Sequence, residues 1–240
     1  MLKVTNIRKA FKDNEVLKGV DIEVNKGDIV TILGPSGSGK TTLLRCINFL
    51  EQADGGQLDF DEQHLDYAKV TGKEIKAIRH KTAFVFQNYN LLAKTTALEN
   101  VELPLMYNPN VSATERVRRA KEALIAVGLG ERLYHKSNQM SGGQMQRVAI
   151  ARALVNNPAV ILADEATGNL DTRTSFEILV LFQKLHTEGR TIIFVTHNPD
   201  IAQYSSRNIM LKDGKIVSDT YNSNILSAAD TLAKIPKEEN

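Results

Sequence analysis

Cysteine and tryptophan are almost missing from this 240-residue chain, which has one cysteine, Cys46, and no tryptophan. A lone cysteine leaves no disulfide framework and no cysteine-based metal site within the chain, and it suits a reducing compartment. Long apolar runs are missing as well, since the longest, "AVILA" and "IIFV", are the length of strands. The sequence therefore predicts no membrane span, and its N-terminus has no apolar core of signal-peptide length.

An excess of charge of either sign is also missing. Thirty basic and 28 acidic residues leave a formal net charge of +2, with both signs interspersed along the chain. This balance gives no electrostatic reason to expect a nucleic acid partner. Hydrophobic residues make up 42% of the chain and charged residues 24%, as in average globular proteins. We therefore expect a cytosolic domain with a full core, and room for one inserted or appended subdomain.

The spacing of apolar residues predicts an α/β fold. Residues 1–24 alternate as antiparallel strands, and "GGQLDFDEQHL" is typical of a further hairpin. Later strands alternate with helices, which indicates a largely parallel sheet with helices on both faces. The predicted strands are 28–33, 81–87, 159–163 and 191–196, followed by a hairpin at 208–218. The predicted helices include "TTLLRCINFLE", 142–155 and 173–187.

Residues 88–140 are more polar than the rest, and their pattern is helical. In "SATERVRRAKEALIAVGLG", Ser112 and Glu115 form a capping-box pattern, followed by an apolar stripe and a glycine that can end the helix. The stripe and the closing glycine are Val117, Ala120, Leu124, Val127 and Gly128.

The predicted organisation has three parts. The α/β core consists of 1–87 and 141–220, the inserted helical subdomain of 88–140, and a polar C-terminal tail of 221–240. We expect the tail to be loosely held, since it is polar and ends in "PKEEN".

The strongest single motif is "GPSGSGKT", residues 34–41, which satisfies G-x-x-x-x-G-K-[ST] between a strand and a helix. Its glycines allow successive backbone N–H groups to point at phosphate oxygens, and the following helix adds its positive dipole end. Lys40 can contact the β- and γ-phosphates, and the Thr41 hydroxyl is placed for Mg²⁺. The alternative is a Gly/Ser-rich turn that matches by chance. The predicted nucleotide-binding residues here are Gly34, Pro35, Ser36, Gly37, Ser38, Gly39, Lys40, Thr41 and Thr42.

Polar side chains follow three more of the predicted strands. They are Gln87, the pair Asp164 and Glu165, and His197. Because ligands bind beyond the carboxyl ends of strands in such sheets, we expect all of them to surround one nucleotide. Asp164 is then the natural partner of a Mg²⁺ ion held by Thr41, and Gln87 offers the metal an uncharged amide.

The same residues fit nucleotide hydrolysis. Glu165 can act as general base for the attacking water, an effect worth about 10²–10⁴ in rate. His197 can bond the γ-phosphate and hold Glu165 and the water in line, while the Gln87 amide can also reach the water. The alternative is a structural acid pair that caps the strand end.

A second anion-binding helix start distinguishes this chain from other P-loop proteins. "MSGGQMQRVAIARAL", residues 140–154, opens a helix with a serine and two glycines whose amides can face phosphate. With this motif, the sequence resembles the ATP-binding cassette (ABC) family over residues 1–218. The matches are the Walker A loop 34–41, the Q-loop Gln87, the signature Ser141, Gly142, Gly143 and Gln144, Walker B Asp164 with Glu165, the D-loop Asp171 and the switch His197. Phe11 matches the position where the family stacks an aromatic ring on adenine; a plain core phenylalanine is the alternative.

The resemblance implies ATP and Mg²⁺ as ligands and a head-to-tail dimer. In the family, each ATP lies between the Walker A loop of one subunit and the signature helix of the other, so a second ABC ATPase subunit must supply the facing signature. Residues 88–140 with the Q-loop would contact integral membrane permease subunits. The chain would then act peripherally, on the cytoplasmic face of the membrane.

The subfamily features point in two directions. "KAFKDNEVLKGV" and "TTLLRCINFLEQADGG" resemble the ATPases of polar amino-acid importers. From "TTALENVELPLMY" onward the chain resembles the lipoprotein-release and macrolide-export type, with Gly168-Asn169-Leu170-Asp171 where importers usually have Ser-Ala-Leu-Asp. The partner-contacting region lies in the export-like half, which favours export or mechanical work. An importer ATPase, a natural mosaic and an engineered fusion remain alternatives.

Other classes of ABC protein fit less well or remain open. DNA-repair relatives carry long coiled-coil insertions, and translation-associated relatives usually carry two cassettes. A soluble cassette for iron–sulfur assembly or cell-division regulation stays an alternative. A non-hydrolysing protein would be expected to lose Glu165 or His197. One departure from the family pattern is Ala166, where a proline is usual, so a looser turn is expected there.

Overall fold

The computed structural model describes residues 1–236, and every element below lies in that range. The strands are β1 (Leu2–Phe11), β2 (Asn14–Val24), β3 (Ile29–Leu33), β4 (Gly55–Phe60), β5 (Gln63–Asp66), β6 (Thr82–Val85), β7 (Val160–Asp164), β8 (Thr191–Thr196), β9 (Arg207–Lys212) and β10 (Lys215–Tyr221). The helices are α1 (Lys40–Ile47), α2 (Gly72–Lys81), α3 (Ala97–Met106), α4 (Ala113–Ala126), α5 (Gly142–Leu154), α6 (Thr172–Thr187) and α7 (Ala228–Lys234).

The central sheet has six strands in the order β10-β9-β3-β8-β7-β6. The five strands from β9 to β6 are parallel, and β10 is antiparallel to β9. Adjacent residues of β3, Ile29 and Val30, belong to different apolar cores on opposite faces of the sheet. This explains why the strands are continuously apolar rather than alternating, and it confirms the predicted parallel sheet covered on both faces.

A second, antiparallel sheet has the order β2-β1-β4-β5. Alternate residues of β1, such as Leu2 and Val4, share a core with α1 and with one face of the central sheet. The N-terminal antiparallel subdomain is therefore as predicted. No helix within residues 1–236 is both long and apolar enough to cross a membrane.

The region from 88 to 140 is helical, as expected, and α3 and α4 pack against α5. Ala120 and Leu124 of α4 are fully buried in the same core as Val148 and Ile150 of α5. Helix α5 also contacts β6 and α6, so it joins the helical region to the central sheet. The division of the chain at residue 140 stays a prediction.

The predicted N-cap and closing glycine of α4 are confirmed, but its capping box is not complete. Ser112 caps the helix by accepting a hydrogen bond from the backbone N–H of Glu115, and Gly128 adopts φ 79° just after the helix. The Glu115 carboxylate, however, accepts from Arg118 and Arg119 and not from the Ser112 backbone. The predicted capping box is therefore only half formed, because two guanidinium groups one turn away bind the same carboxylate.

Two further expectations are wrong. The strand predicted to end at Gln87 stops at Val85, because the chain turns after Phe86. The tail is not loosely held over 221–236, where β10 reaches Tyr221 and α7 packs against α6. The Gln183 side chain holds this segment by donating to the Leu226 carbonyl and accepting from the Ala228 N–H, both at 2.8 Å. The tail residues 237–240 lie outside the described part of the chain.

Candidate nucleotide-binding site

The loop between β3 and α1 ends at Gly39, the N-cap of α1, which has φ 103°. A Cβ at this position would lie 2.9 Å from Leu17 Cδ2 and 3.0 Å from the Val16 carbonyl oxygen. Only glycine fits both the backbone conformation and the close approach of β2. The glycine thus lets the loop turn directly into the N-terminus of α1, where unpaired backbone N–H groups attract anions.

Lys40 is held inside this loop with 5% of its surface exposed. Its Nζ donates hydrogen bonds of 2.8 Å to the carbonyls of Gly34 and Pro35. Burial lowers the Lys40 pKa, while the charges of Glu165 and Asp164 oppose that shift. The Ser38 hydroxyl is buried and has no hydrogen-bond partner within residues 1–236. A buried cation and an unpartnered hydroxyl beside a helix start fit a bound polyphosphate.

Thr41 and Asp164 are joined directly. The Thr41 hydroxyl donates a hydrogen bond of 2.6 Å to Oδ1 of Asp164, which is 6% exposed. Burial raises the pKa of the Asp164 carboxyl, and this hydrogen bond opposes the rise. No group of three or more His, Cys, Asp or Glu side chains in residues 1–236 is arranged so that it could hold a metal ion. One hydroxyl and one carboxylate fit Mg²⁺, which takes its remaining ligands from water and substrate phosphates.

Glu165 and His197 also form a pair. His197 Nδ1 lies 3.2 Å from Glu165 Oε1, which brings together the residues that follow β7 and β8. Glu165 has φ 46°, a left-handed conformation that is uncommon outside glycine, and its N–H donates to the Val195 carbonyl at 3.0 Å. Backbone strain of this kind persists where surrounding contacts fix it, often at active sites. The Glu165 carboxylate is therefore held at a defined place on the sheet edge.

Gln87 lies beside the segment that follows Glu165. Its Nε2 donates to Asn169 Oδ1 at 3.4 Å, and Asn169 Nδ2 donates to the Gln87 carbonyl at 3.4 Å and to Asn88 Oδ1 at 2.9 Å. The sequence showed Asn169 only as a subfamily marker and gave no sign of this contact. The structure joins Thr41 to Asp164, Glu165 to His197, and Gln87 to Asn169. That these residues surround one nucleotide stays a prediction.

A cleft of about 380 Å³ covers the phosphate loop. It is lined by Phe11, Asn14, Val16, Ser36, Gly37, Gly39, Lys40, Thr41, Thr42 and Glu165. The Phe11 side chain is 46% exposed, with Lys9 Nζ 5.0 Å from the ring centroid, so the core alternative for Phe11 is wrong. Asn14 and Val16 of β2 are lining residues that the sequence did not indicate.

The signature residues lie away from this cleft, at the start of α5. Ser141 accepts a hydrogen bond from the Gln144 N–H at 3.3 Å, and Gln144 Oε1 accepts one from the Ser141 N–H at 3.1 Å. Gly142 and Gly143 form the first turn between them. None of these four residues is among those that line the 380 Å³ cleft. Asp171 caps α6 by accepting from the Thr174 N–H at 2.8 Å, and hydrogen bonding from the Thr174 side chain and backbone lowers the Asp171 pKa.

The parallel sheet carries a phosphate loop after β3, and Thr41 of the helix that follows this loop is hydrogen-bonded to Asp164 at the end of β7. These features define a P-loop nucleoside triphosphatase. The family profile described as "ABC transporter" matches residues 17–168. The lipoprotein-releasing system ATP-binding protein LolD of Bacteroides thetaiotaomicron is 45% identical over 221 residues, covering 91% of this chain and 100% of that protein. The macrolide export ATP-binding/permease protein MacB of Bdellovibrio bacteriovorus is 41% identical over 244 residues, covering 100% of this chain and 37% of MacB.

The fold has a matching solved structure. The dimeric, post-hydrolysis structure of the ATP-binding cassette MJ0796 with ADP and Pi superposes with a TM-score of 0.83 at 42% identity, covering 92% of this chain and 98% of that one. The chain therefore belongs to the ABC transporter family, and it is an ATPase subunit of the LolD and MacB type that hydrolyses ATP to ADP and phosphate.

These comparisons decide between the two subfamily readings. Similarity to the LolD and MacB proteins runs through both halves of the chain, including the N-terminal part that resembled importers. The expectation of an export or mechanical-work type is confirmed, and amino-acid transport finds no support in these relatives. The individual roles of the site residues stay predictions.

Proposed function

We propose that the chain works as a head-to-tail dimer that drives a separate membrane permease of the export or mechanical-work type from the cytoplasmic face of the membrane. Each ATP would lie between the phosphate loop of one copy and the signature helix start of the other. The observation that carries this proposal is that none of the signature residues 141–144 lines the cleft over the phosphate loop. A second copy is required to bring an anion-binding helix start to the exposed side of the nucleotide.

Two comparisons support the dimer. The MJ0796 cassette, similar over 92% of this chain, has been solved as a dimer both with ADP and Pi and in a second structure.

The exposed Phe11 ring at the cleft offers a surface on which a base can stack.

The chemistry of hydrolysis is assigned to the residues at the sheet edge. Lys40 and the N-terminus of α1 bind the phosphates, and Thr41, Asp164 and Gln87 would hold Mg²⁺. The metal would neutralise charge developing on the phosphate oxygens. Glu165 accepts a proton from the attacking water, and His197 fixes the orientation of the Glu165 carboxylate through its 3.2 Å contact. Asp171 and the signature residues would complete the site in the second copy.

The permease contact is proposed at a groove of about 320 Å³ between β6, α3 and α5. Its walls include Phe84 and Phe86 at one side and Leu103 and Pro104 at the other. Met106 and Tyr107, further along the chain at the end of α3, are large and well exposed. A groove that combines these apolar residues with Arg79, Asn90, Arg152 and Asn156 suits an amphipathic helix of a partner protein. It lies next to the Q-loop, so a partner there would sense the nucleotide site.

The experiment is purification of the full chain with its co-expressed neighbouring proteins and identification of the membrane subunit. A four-span permease with a large extracytoplasmic domain supports the proposal, and a polar amino-acid permease contradicts it. In the groove, Leu103→Arg is expected to abolish copurification. Val217→Arg, an exposed position on β10, serves as the matched control and is expected to retain it. Equal loss of copurification in both variants would show that the groove is not part of the interface.

A further inference from the structure

We infer that Asn169 is a positioning residue for Gln87, because it determines which end of the Gln87 carboxamide faces the nucleotide site. Gln87 Nε2 donates to Asn169 Oδ1, and Asn169 Nδ2 donates back to the Gln87 main-chain carbonyl, both at 3.4 Å. One side chain of the D-loop therefore contacts both the side chain and the backbone of a Q-loop residue that is 82 positions away. The inference deepens the metal-binding role proposed for Gln87 and rests on it.

The orientation of Asn169 itself is fixed by a shorter contact. Its Nδ2 donates to Asn88 Oδ1 at 2.9 Å. An asparagine amide has its donor group and its acceptor oxygen on opposite sides of the carboxamide. Because the Gln87 main-chain carbonyl can only accept, the Asn169 nitrogen faces it, and the Asn169 oxygen on the other side selects the NH₂ end of Gln87 as its partner.

Gly168 gives Gln87 the room to adopt this arrangement. A Cβ at residue 168 would lie 3.0 Å from Gln87 Nε2 and 3.4 Å from Glu165 Oε2. The Gln87 amide thus lies against the D-loop backbone, at a point that also borders the Glu165 carboxylate. A side chain at residue 168 would press against the Gln87 amide and touch the Glu165 carboxylate. Gly168 therefore leaves the space that Gln87 occupies, and Asn169 binds Gln87 there.

The consequence concerns Gln87 Oε1. With Nε2 committed to Asn169, the oxygen is the end of the amide that remains available, and no hydrogen bond to it occurs within residues 1–236. Mg²⁺ takes oxygen ligands, so only this orientation of the amide suits a cation. Without Asn169 the amide can rotate and present its NH₂ group instead. Both contacts between Asn169 and Gln87 are long. Removing Asn169 should therefore weaken metal binding by no more than the loss of one or two weak hydrogen bonds.

The test uses Mn²⁺ as the probe, with the full chain loaded with a non-hydrolysable ATP analogue and free Mn²⁺ followed by its electron paramagnetic resonance signal. Asn169→Ala is expected to weaken Mn²⁺ binding about two- to fivefold. Residue 169 is exposed, so the variant should fold. In a Gln87→Ala background, Asn169→Ala is expected to cause no further loss, as required for a residue that acts through Gln87.

The outcomes separate the two claims. If Gln87→Ala weakens Mn²⁺ binding and Asn169→Ala does not, the positioning role of Asn169 is overturned and the metal role of Gln87 stands. If Asn169→Ala causes the same loss with and without Gln87, Asn169 does not act through Gln87 and the inference is again overturned. If Gln87→Ala binds Mn²⁺ like wild type, the proposed metal role of Gln87 fails, and the inference fails with it.

Discussion

The hydroxyl of Thr41 donates a 2.6 Å hydrogen bond to the carboxylate of Asp164, across 123 positions of sequence. In the sheet, β8 lies between β3, which leads into the phosphate loop, and β7, which carries Asp164. The bond therefore closes the phosphate loop onto the end of β7 and brings two oxygen ligands to one point. It also supplies a partner to a carboxylate that burial would otherwise disfavour.

Replacing Thr41 tests this bond. Thr41→Val keeps the shape of the side chain but leaves the buried Asp164 carboxylate without its donor. We expect the free energy of unfolding to fall by about 1–3 kcal/mol. ATP hydrolysis should fall as well, since the proposed hydroxyl ligand of Mg²⁺ is lost. Urea unfolding and steady-state ATPase measurements check both effects. Thr41→Ser keeps the hydroxyl and should retain most of the stability and most of the ATPase activity. Equal defects in Thr41→Val and Thr41→Ser would show that the hydroxyl is not what matters.

Arg152 holds the Q-loop in an uncommon conformation. From α5 it donates to the carbonyls of Tyr89 and Asn90 at 2.7 and 2.6 Å, and these two residues have φ 59° and 49°. Burial lowers the Arg152 pKa. A lysine cannot bridge both carbonyls as a planar guanidinium does, so Arg152→Lys should lower the free energy of unfolding by about 1–3 kcal/mol.

The same variant should loosen the segment around Gln87. We expect faster amide hydrogen exchange at residues 87–90 in Arg152→Lys than in wild type. The control is Arg118→Lys on the exposed face of α4, where the free energy of unfolding should change by less than about 0.5 kcal/mol. Unchanged exchange at 87–90 in Arg152→Lys would show that the Q-loop conformation does not depend on the guanidinium.

Ala166 stands where the family usually has a proline. It is buried, its φ is negative, and no hydrogen bond from its N–H occurs within residues 1–236. Ala166→Pro should therefore raise the free energy of unfolding by about 0.4–1 kcal/mol, and Ala166→Gly should lower it. Both should hydrolyse ATP, and a destabilised proline variant would show that the turn does not suit proline.

Cys46 gives an alkaline dependence of stability. Burial raises the pKa of its thiol to about 12, and the pKa of the neighbouring Tyr67 hydroxyl is raised as well, also by burial. The contribution of Cys46 is fully present below its ordinary pKa of 9.0 and is lost as the pH rises from there toward 12. Unfolding free energies measured from pH 8 to 11 should fall less steeply in Cys46→Ala. If the free energy of unfolding falls equally steeply with pH in Cys46→Ala and wild type, Cys46 does not cause the alkaline loss of stability.

Much of the site was predictable because its motifs are local. The phosphate loop needs only eight consecutive residues and the flanking strand and helix. The polar residues after β7 and β8 could be placed because parallel strands end at one edge of a sheet. Helix α2 was missed, although Thr71 and Glu74 form a full capping box that the sequence pattern "TGKE" contains.

The remaining features depend on packing between distant segments. The contact of Asn169 with Gln87, the clamp of Arg152 on the Q-loop and the lining of the cleft by Asn14 all join residues that no local pattern connects. The tail was misjudged because its polar composition hides one apolar anchor, Ala228, and a hydrogen-bonded glutamine on α6. Composition indicates solvent exposure, and it does not reveal such specific partners.

The assignment of Glu165 as the general base is the central claim, and Glu165→Gln tests it most directly. The glutamine keeps the size of the side chain and its contact with His197 but cannot accept the proton from water. ATP binding should remain, ATP turnover should fall by about 10²–10⁴, and the ATP-bound dimer should persist in size-exclusion chromatography. Turnover close to that of wild type in the purified variant would contradict the assignment.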